Sequence, residues 1–100
     1  MVRFVEVAEK AIEFYGEKLQ QVVAIEEMAE LQKELSKAIR NGGAGNREAI
    51  AEEVTDVHFM LVQIEKIYGI NTAEIALRIE EKAERLLARI EAEKRNRPEG

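Results

Sequence analysis

Apolar side chains recur every three or four residues along most of this chain, with charged residues between them. This period is typical of helices that bury one face, and no segment shows the alternation expected of a strand. The pattern breaks at Gly16, in the glycine-rich segment 41–46 and in the segment 69–72. It predicts an all-α chain with helices at residues 2–15, 17–40, 47–68 and 73–94. Gly16 is compatible with a turn, a kink or a tolerated helical glycine.

The second and third predicted helices form the centre of the expected fold. The connection between them is short, which favours an antiparallel helix hairpin. We expect one helical domain over residues 1–94 and a polar tail at 95–100. Because 100 residues bury little surface alone, we expect this four-helix subunit to assemble as a homodimer or homotetramer.

Each helix of the predicted hairpin carries a pair of carboxylates. Glu27 and Glu30 are three residues apart, as are Glu53 and Asp56, so the members of each pair share a helix face. Both pairs lie at a similar height above the connecting loop. Glu53 falls within the apolar stripe of its helix, where an unpaired charge is costly. The hairpin is therefore expected to carry a site for Mg²⁺ or Mn²⁺, although solvated surface glutamates are the open alternative.

Composition and charge exclude several classes of function. The net charge of −5 argues against nucleic acid as the main partner. The absence of Cys excludes thiol catalysis and disulfides, and Thr55 three residues before the lone His58 excludes the Glu-x-x-His pairs of di-iron bundles. No apolar run has the length of a membrane span, and the start of the chain has no signal-peptide core. We therefore expect a cytoplasmic protein without a membrane partner.

Two short acidic motifs carry a resemblance to a known family. They read EExxE at Glu26–Glu30 and EExxD at Glu52–Asp56. With the D-V-x-x-M-x-x-Q run from Asp56 to Gln63 and the basic run from Lys82 to Arg89, the chain resembles small MazG-like all-α nucleoside triphosphate pyrophosphohydrolases. The resemblance covers roughly residues 14 to 90. One departure is that the chain has no Trp, which small relatives often carry to stack on the base.

The resemblance implies Mg²⁺-dependent hydrolysis of a nucleoside or deoxynucleoside triphosphate between its α- and β-phosphates, with Mn²⁺ as a substitute cofactor. It also implies that a metal-activated water is the nucleophile, and that the biological role is the removal of unwanted nucleotides. The implied metal ligands, which would also be the catalytic residues, are Glu27, Glu30, Glu53 and Asp56. The implied supporting carboxylates are Glu26 and Glu52, and the implied substrate-binding residues are Gln20, Lys82, Arg85 and Arg89.

Several alternatives stay open at this stage. The basic residues of the last helix also fit a solvated face, and Gln20 fits an ordinary surface position. Phe14 and Tyr15 are expected in the core, with stacking on a base as the alternative. The alternative functions are a non-enzymatic helical oligomerisation module and the related activity of a phosphoribosyl-ATP pyrophosphohydrolase.

Overall fold

A computed structural model describes residues 3–42 and 46–97 of the chain. Its helices are α1 at Phe4–Tyr15, α2 at Glu17–Arg40, α3 at Arg47–Ile67 and α4 at Thr72–Asn96. Within those two ranges there is no strand, so the predicted all-α class and the four helices are confirmed. The predicted first residue of α1, Val2, lies outside the described residues. Helix α4 continues through Asn96, beyond its predicted end at residue 94.

Local capping chemistry explains where the helices begin and end. Gly16 separates α1 from α2 with a φ of 93°, a conformation that other residues rarely adopt, so it marks a turn. The side chain of Asn46 accepts a hydrogen bond from the amide of Ala49 at 3.2 Å and caps α3. Asn71 caps α4 in the same way, accepting from the amide of Glu74 at 2.9 Å. These caps satisfy amides that a helix leaves free at its start.

The chain divides into two compact units, Met1–Gly69 and Ile70–Gly100. The first unit contains α1, α2 and α3, and the second contains α4. No helix in the described ranges is both long and apolar enough to cross a membrane.

Side-chain pairs define the packing of the first unit. Gln20 of α2 contacts Gln63 of α3, while Glu27 lies beside Asp56, so the two helices run antiparallel as predicted. Helix α1 runs parallel to α3. The Phe4 and Phe59 rings have centroids 4.6 Å apart, and Lys66 Nζ lies 3.3 Å from Glu9 Oε1.

The contact between α2 and α3, which we call the hairpin seam, contains many polar residues. The seam consists of Gln20, Ala24, Glu27, Leu31, Glu34 and Ala38 on α2 and Glu53, Asp56, Met60 and Gln63 on α3, all buried or half-buried. Among the described residues of the first unit, the buried hydrophobic ones are Ala8, Ala24 and Met60, and they are joined by the buried amides of Gln20 and Gln63.

Helical periodicity predicts an apolar packing stripe on α2 that consists of Val22, Ile25, Met28, Leu31, Leu35, Ala38 and Ile39. This prediction is partly wrong, because only Leu31 and Ala38 of the stripe are half-buried. Ile25, Met28, Leu35 and Ile39, which we call the outer apolar face of α2, are exposed, and Ile39 is 79% accessible. At about 100° per residue, this face lies about a quarter of a turn away from the hairpin seam. The predicted stripe was centred on the outer face, whereas the helix contact formed along its edge, where glutamine, glutamate and alanine alternate with leucine.

The expectation that Phe14 and Tyr15 lie in the core is also wrong. Phe14 is 81% exposed and Tyr15 is 56% exposed. The two rings pack edge to face with centroids 4.9 Å apart. They occupy the last turn of α1, where the chain turns at Gly16, and there they contact each other instead of the seam.

Candidate metal centre

Three predicted metal ligands meet in the hairpin seam. Glu27 comes from α2, and Glu53 and Asp56 come from α3. Each offers a carboxylate oxygen, and these oxygens lie within 4.8 Å of one another. All three residues are half-buried. The i, i+3 spacing explains the pair on α3, while the antiparallel packing brings Glu27 to them.

One oxygen of this cluster lacks a partner. Glu53 Oε2 is buried and has no hydrogen-bond donor within reach in the described part of the chain. A buried carboxylate oxygen is costly unless a donor or a cation satisfies it. Mg²⁺ and Mn²⁺ prefer such oxygen ligands, so the donor set fits a hard divalent cation.

The electrostatics of the cluster favour protonation in the absence of a cation. Burial raises the pKa of Glu27, and repulsion from Asp56, a hydrogen bond with Asp56 and the charges of Glu53 and Glu30 raise it further. Burial also raises the pKa of Glu53, followed by repulsion from Asp56, Glu30 and Glu34. A divalent cation in the cluster would offset this repulsion by favouring the charged forms.

The fourth predicted ligand, Glu30, lies at the edge of the cluster. It is exposed and does not belong to the group within 4.8 Å, although its charge raises the pKa of both Glu27 and Glu53. Its role as a ligand stays a prediction. The two predicted supporting carboxylates, Glu26 and Glu52, are exposed on the outer sides of their helices.

A pocket of roughly 170 Å³ opens beside the carboxylates. Its lining combines two of the acidic residues with a largely apolar wall and consists of Val23, Glu27, Thr55, Asp56, Phe59 and Met60. The sequence-based site did not include Val23 or Phe59. Phe59 lies three residues after Asp56, so helical spacing was a signal that could have placed it beside the carboxylates.

Glu34 is a second feature that the sequence-based site omitted. It lies seven residues after Glu27 on the same face of α2, and its charge raises the pKa of Glu53. Its Oε2 atom also contacts Lys37 Nζ at 3.4 Å. Glu34 therefore adds negative charge on the loop side of the cluster.

Gln20 lies in a different setting from the predicted surface or substrate-facing position. It is only 6% exposed, and its Nε2 atom donates a hydrogen bond to Gln63 Oε1 at 2.7 Å. That amide group is thus engaged inside the hairpin seam. A contact between Gln20 and a base or sugar stays a prediction.

The three predicted phosphate-binding residues lie on α4 in the second unit. Lys82, Arg85 and Arg89 line one groove together with Leu86, so the predicted common face is present. All three basic residues are exposed. Guanidinium and ammonium groups on a common face can bind phosphate oxygens, although a solvated face has the same appearance.

No family model, curated protein or solved structure matches this chain at a significant level. The resemblance to MazG-like enzymes therefore stays an inference from the two acidic motifs and their neighbours.

Proposed function

We propose that this protein is a Mg²⁺-dependent nucleoside triphosphate pyrophosphohydrolase. The reaction adds water across the phosphoanhydride bond between the α- and β-phosphates, and it yields a nucleoside monophosphate and pyrophosphate. The observation that carries this proposal is the meeting of Glu27, Glu53 and Asp56 around the unpartnered Oε2 atom of Glu53. The acidic motifs that supply these residues resemble those of the MazG-like enzymes.

In this proposal Glu27, Glu53 and Asp56 would hold the cation, and Glu30 is the fourth proposed ligand. When bound there, Mg²⁺ supplies positive charge to the triphosphate and makes a coordinated water more acidic. The chain needs no nucleophilic side chain of its own, which agrees with its lack of Cys. Mn²⁺ is expected to substitute because it prefers similar ligands.

The pocket beside the cluster supports binding of part of the substrate next to the cation. Phe59, Met60 and Val23 form an apolar wall beside the carboxylates, where a base or sugar can pack. The substrate phosphates not covered by the cation need positive charge. Lys82, Arg85 and Arg89 are the proposed source of that charge, because they share one face of α4.

The proposal includes assembly of the subunit with further copies of itself. The outer apolar face of α2 is exposed, and so are Ile79, Leu86, Leu87 and Ile90 on α4. Exposed apolar faces are typical of interaction sites. A homodimer or homotetramer would bury each of these two faces, and a cytoplasmic location, where the triphosphates are, belongs with this function.

The test is pyrophosphate release from a panel of nucleoside and deoxynucleoside triphosphates with Mg²⁺. We expect monophosphate and pyrophosphate in equal amounts from the preferred triphosphate, and no release with a chelator. Glu53→Gln should lower the rate by more than about 100-fold, because it removes a proposed ligand. Glu48→Gln is the matched control, since Glu48 is an exposed carboxylate in the first turn of the same helix.

A helical oligomerisation module is the second candidate function, because the exposed apolar faces favour it. Under that function, neither wild type nor Glu48→Gln releases pyrophosphate from any triphosphate, and Mg²⁺ does not bind. If Mg²⁺ binds but no common triphosphate reacts, phosphoribosyl-ATP is the next substrate to assay.

A further inference from the structure

A pair of glutamines forms the most buried polar contact of the hairpin seam. Gln20 Nε2 donates to Gln63 Oε1 at 2.7 Å across the two helices, although 43 positions separate them in the chain. Gln63 Nε2 in turn donates to the sulfur of Met60 at 3.6 Å. Gln63 is 2% exposed and Gln20 is 6% exposed, so water does not readily replace this contact.

The glutamine pair and the carboxylates share one register of the antiparallel helices. Gln20 lies seven residues before Glu27, and Gln63 lies seven residues after Asp56. Glu30 lies ten residues after Gln20, and Glu53 lies ten residues before Gln63, so both carboxylates are displaced towards the loop by the same distance. Equal steps along two antiparallel helices keep residues level, so a register that pairs the glutamines also pairs the carboxylates.

Outside the carboxylate cluster, the rest of the seam specifies this register weakly. Ala24, Leu31 and Ala38 make non-directional apolar contacts, which a slip by one helical turn could largely replace. Tyr68 also donates to Gln21 across the helices, but this contact is exposed and competes with water.

A slip would leave both glutamine amides buried without their partner. Buried polar groups carry this cost because they lose water and gain no hydrogen bond in return. A single buried polar pair is a known means of setting the register of packed helices.

We propose that Gln20 and Gln63 are positioning residues whose hydrogen bond sets the register that assembles the carboxylate cluster. The inference deepens the proposed function, on which its metal-binding part rests. Neither glutamine needs to touch the cation or the substrate. The pair acts through Glu27, Glu53 and Asp56 by bringing α2 and α3 level.

The test compares wild type with Gln20→Met/Gln63→Met, which keeps the side-chain shape and removes the hydrogen bond. Gln32→Met is the matched control, because Gln32 is an exposed glutamine on the same helix. The chain has no Cys, so Lys18→Cys and Glu48→Cys introduce the only sites for nitroxide labels. These exposed positions lie near opposite ends of the hairpin, so a slip of one turn changes their separation by about 5 Å.

Three measurements are made on each protein. Pulsed EPR gives the label distance in the metal-free state, with labelled chains diluted in unlabelled ones to isolate distances within one chain. Mn²⁺ alone is titrated for its affinity, and urea unfolding gives the stability. For the Met pair we expect a second or displaced distance and Mn²⁺ affinity at least about 10-fold weaker, without a loss of cooperative folding. Gln32→Met should match wild type in all three.

The outcomes separate this inference from the proposed function. An unchanged single distance in the folded Met pair would overturn the positioning role, whatever its metal affinity. A displaced distance with no Mn²⁺ binding even by wild type would support the register role and count against the metal-dependent function. If both the Met pair and Gln20→Leu/Gln63→Leu fail to fold, the bridge serves stability and the positioning role is wrong.

Discussion

The hairpin seam and the outer apolar face of α2 combine polarity and burial in opposite ways: the seam is polar and buried, whereas the outer face is apolar and exposed. The seam packs α2 against α3, yet it contains Gln20, Glu27 and Glu34. The outer face carries Ile25, Leu35 and Ile39, and it is exposed. In most small helical domains the apolar residues meet inside and the polar residues face water.

This inversion is informative because both arrangements are costly for an isolated subunit. Polar groups in a helix contact must be paired, and exposed apolar residues lose the free energy of burial. The seam satisfies its amides through the Gln20–Gln63 pair, but Glu53 Oε2 has no donor among the residues at 3–42 and 46–97. A cation in the seam and a second subunit on the outer face would remove both costs.

The largest expected effect concerns the outer face. Ile39→Glu should weaken self-association by more than about 100-fold, because it places a charge in the proposed interface. Analytical ultracentrifugation over a range of concentrations measures this change. Lys33→Glu, at an exposed polar position of the same helix, is the control and should associate like wild type. A wild-type protein that stays monomeric at high concentration would contradict the proposed assembly.

The next effect concerns the seam and its proposed cation. If Mg²⁺ binds only the folded cluster, as the proposed function requires, Mg²⁺ at about 100 times its dissociation constant should raise the free energy of unfolding by about 2.7 kcal/mol. Urea unfolding with and without Mg²⁺ measures this gain. Glu53→Gln should show little gain, while its metal-free stability should equal or exceed that of wild type, since it removes a repelled charge. Equal gains in both proteins would place the cation elsewhere.

A third prediction compares a polar contact inside the seam with one outside it. Gln20→Ala should lower the free energy of unfolding by about 1–3 kcal/mol, because Gln63 then stays buried without its partner. Lys66→Ala, which removes the exposed pair with Glu9, should cost only about 0.2–1 kcal/mol. Urea unfolding of both variants in one buffer gives the comparison. Equal losses would mean that burial does not distinguish the two contacts.

The smallest expected effect is a pH dependence of the metal-free protein. Glu27 and Glu53 have pKa values raised above the ordinary 4.5, so the folded state holds more protons than the unfolded state in the window above that value. Stability is therefore greatest below the unfolded pKa and falls as the pH rises through the raised folded pKa. Solvent screening keeps the change small, since the carboxylates are partly exposed. Urea midpoints across this window should fall less steeply for Glu27→Gln, and a rise in wild-type midpoints would contradict the shifts.

Much of the local structure could be predicted because its causes lie within a few residues. The helical period and the breaks between the helices are short-range features, and so are the caps that the structure shows at Asn46 and Asn71. At Gly16 the sequence left a turn, a kink and a helical glycine open, and the positive φ decides for the turn. The carboxylate spacing of Glu53 and Asp56 is likewise local, since an α-helix places residues three apart on one side. The hairpin followed from a short connection between two long helices.

The identity of the packed face was less predictable. Periodicity located an apolar stripe on α2, but the helix contact formed about a quarter of a turn away and buried Gln20 instead of Ile39. Glu34 and Phe59 were missed because their proximity to the cluster depends on which helix faces pack together. Glu30 stayed outside the 4.8 Å group although its spacing matches that of the other ligands.

By itself, therefore, the sequence determined which segments are helical, where the helical pattern breaks and which carboxylates share a face. These properties depend on backbone geometry and on side chains within one or two turns. The sequence also predicted that the two carboxylate pairs lie level across the hairpin. Only the tertiary structure decided that Glu27, and not Glu30, lies within 4.8 Å of Glu53 and Asp56, and that Gln20 pairs with Gln63. Those contacts depend on the rotation and register of two helices, and shape and hydrogen bonding across the whole seam select both.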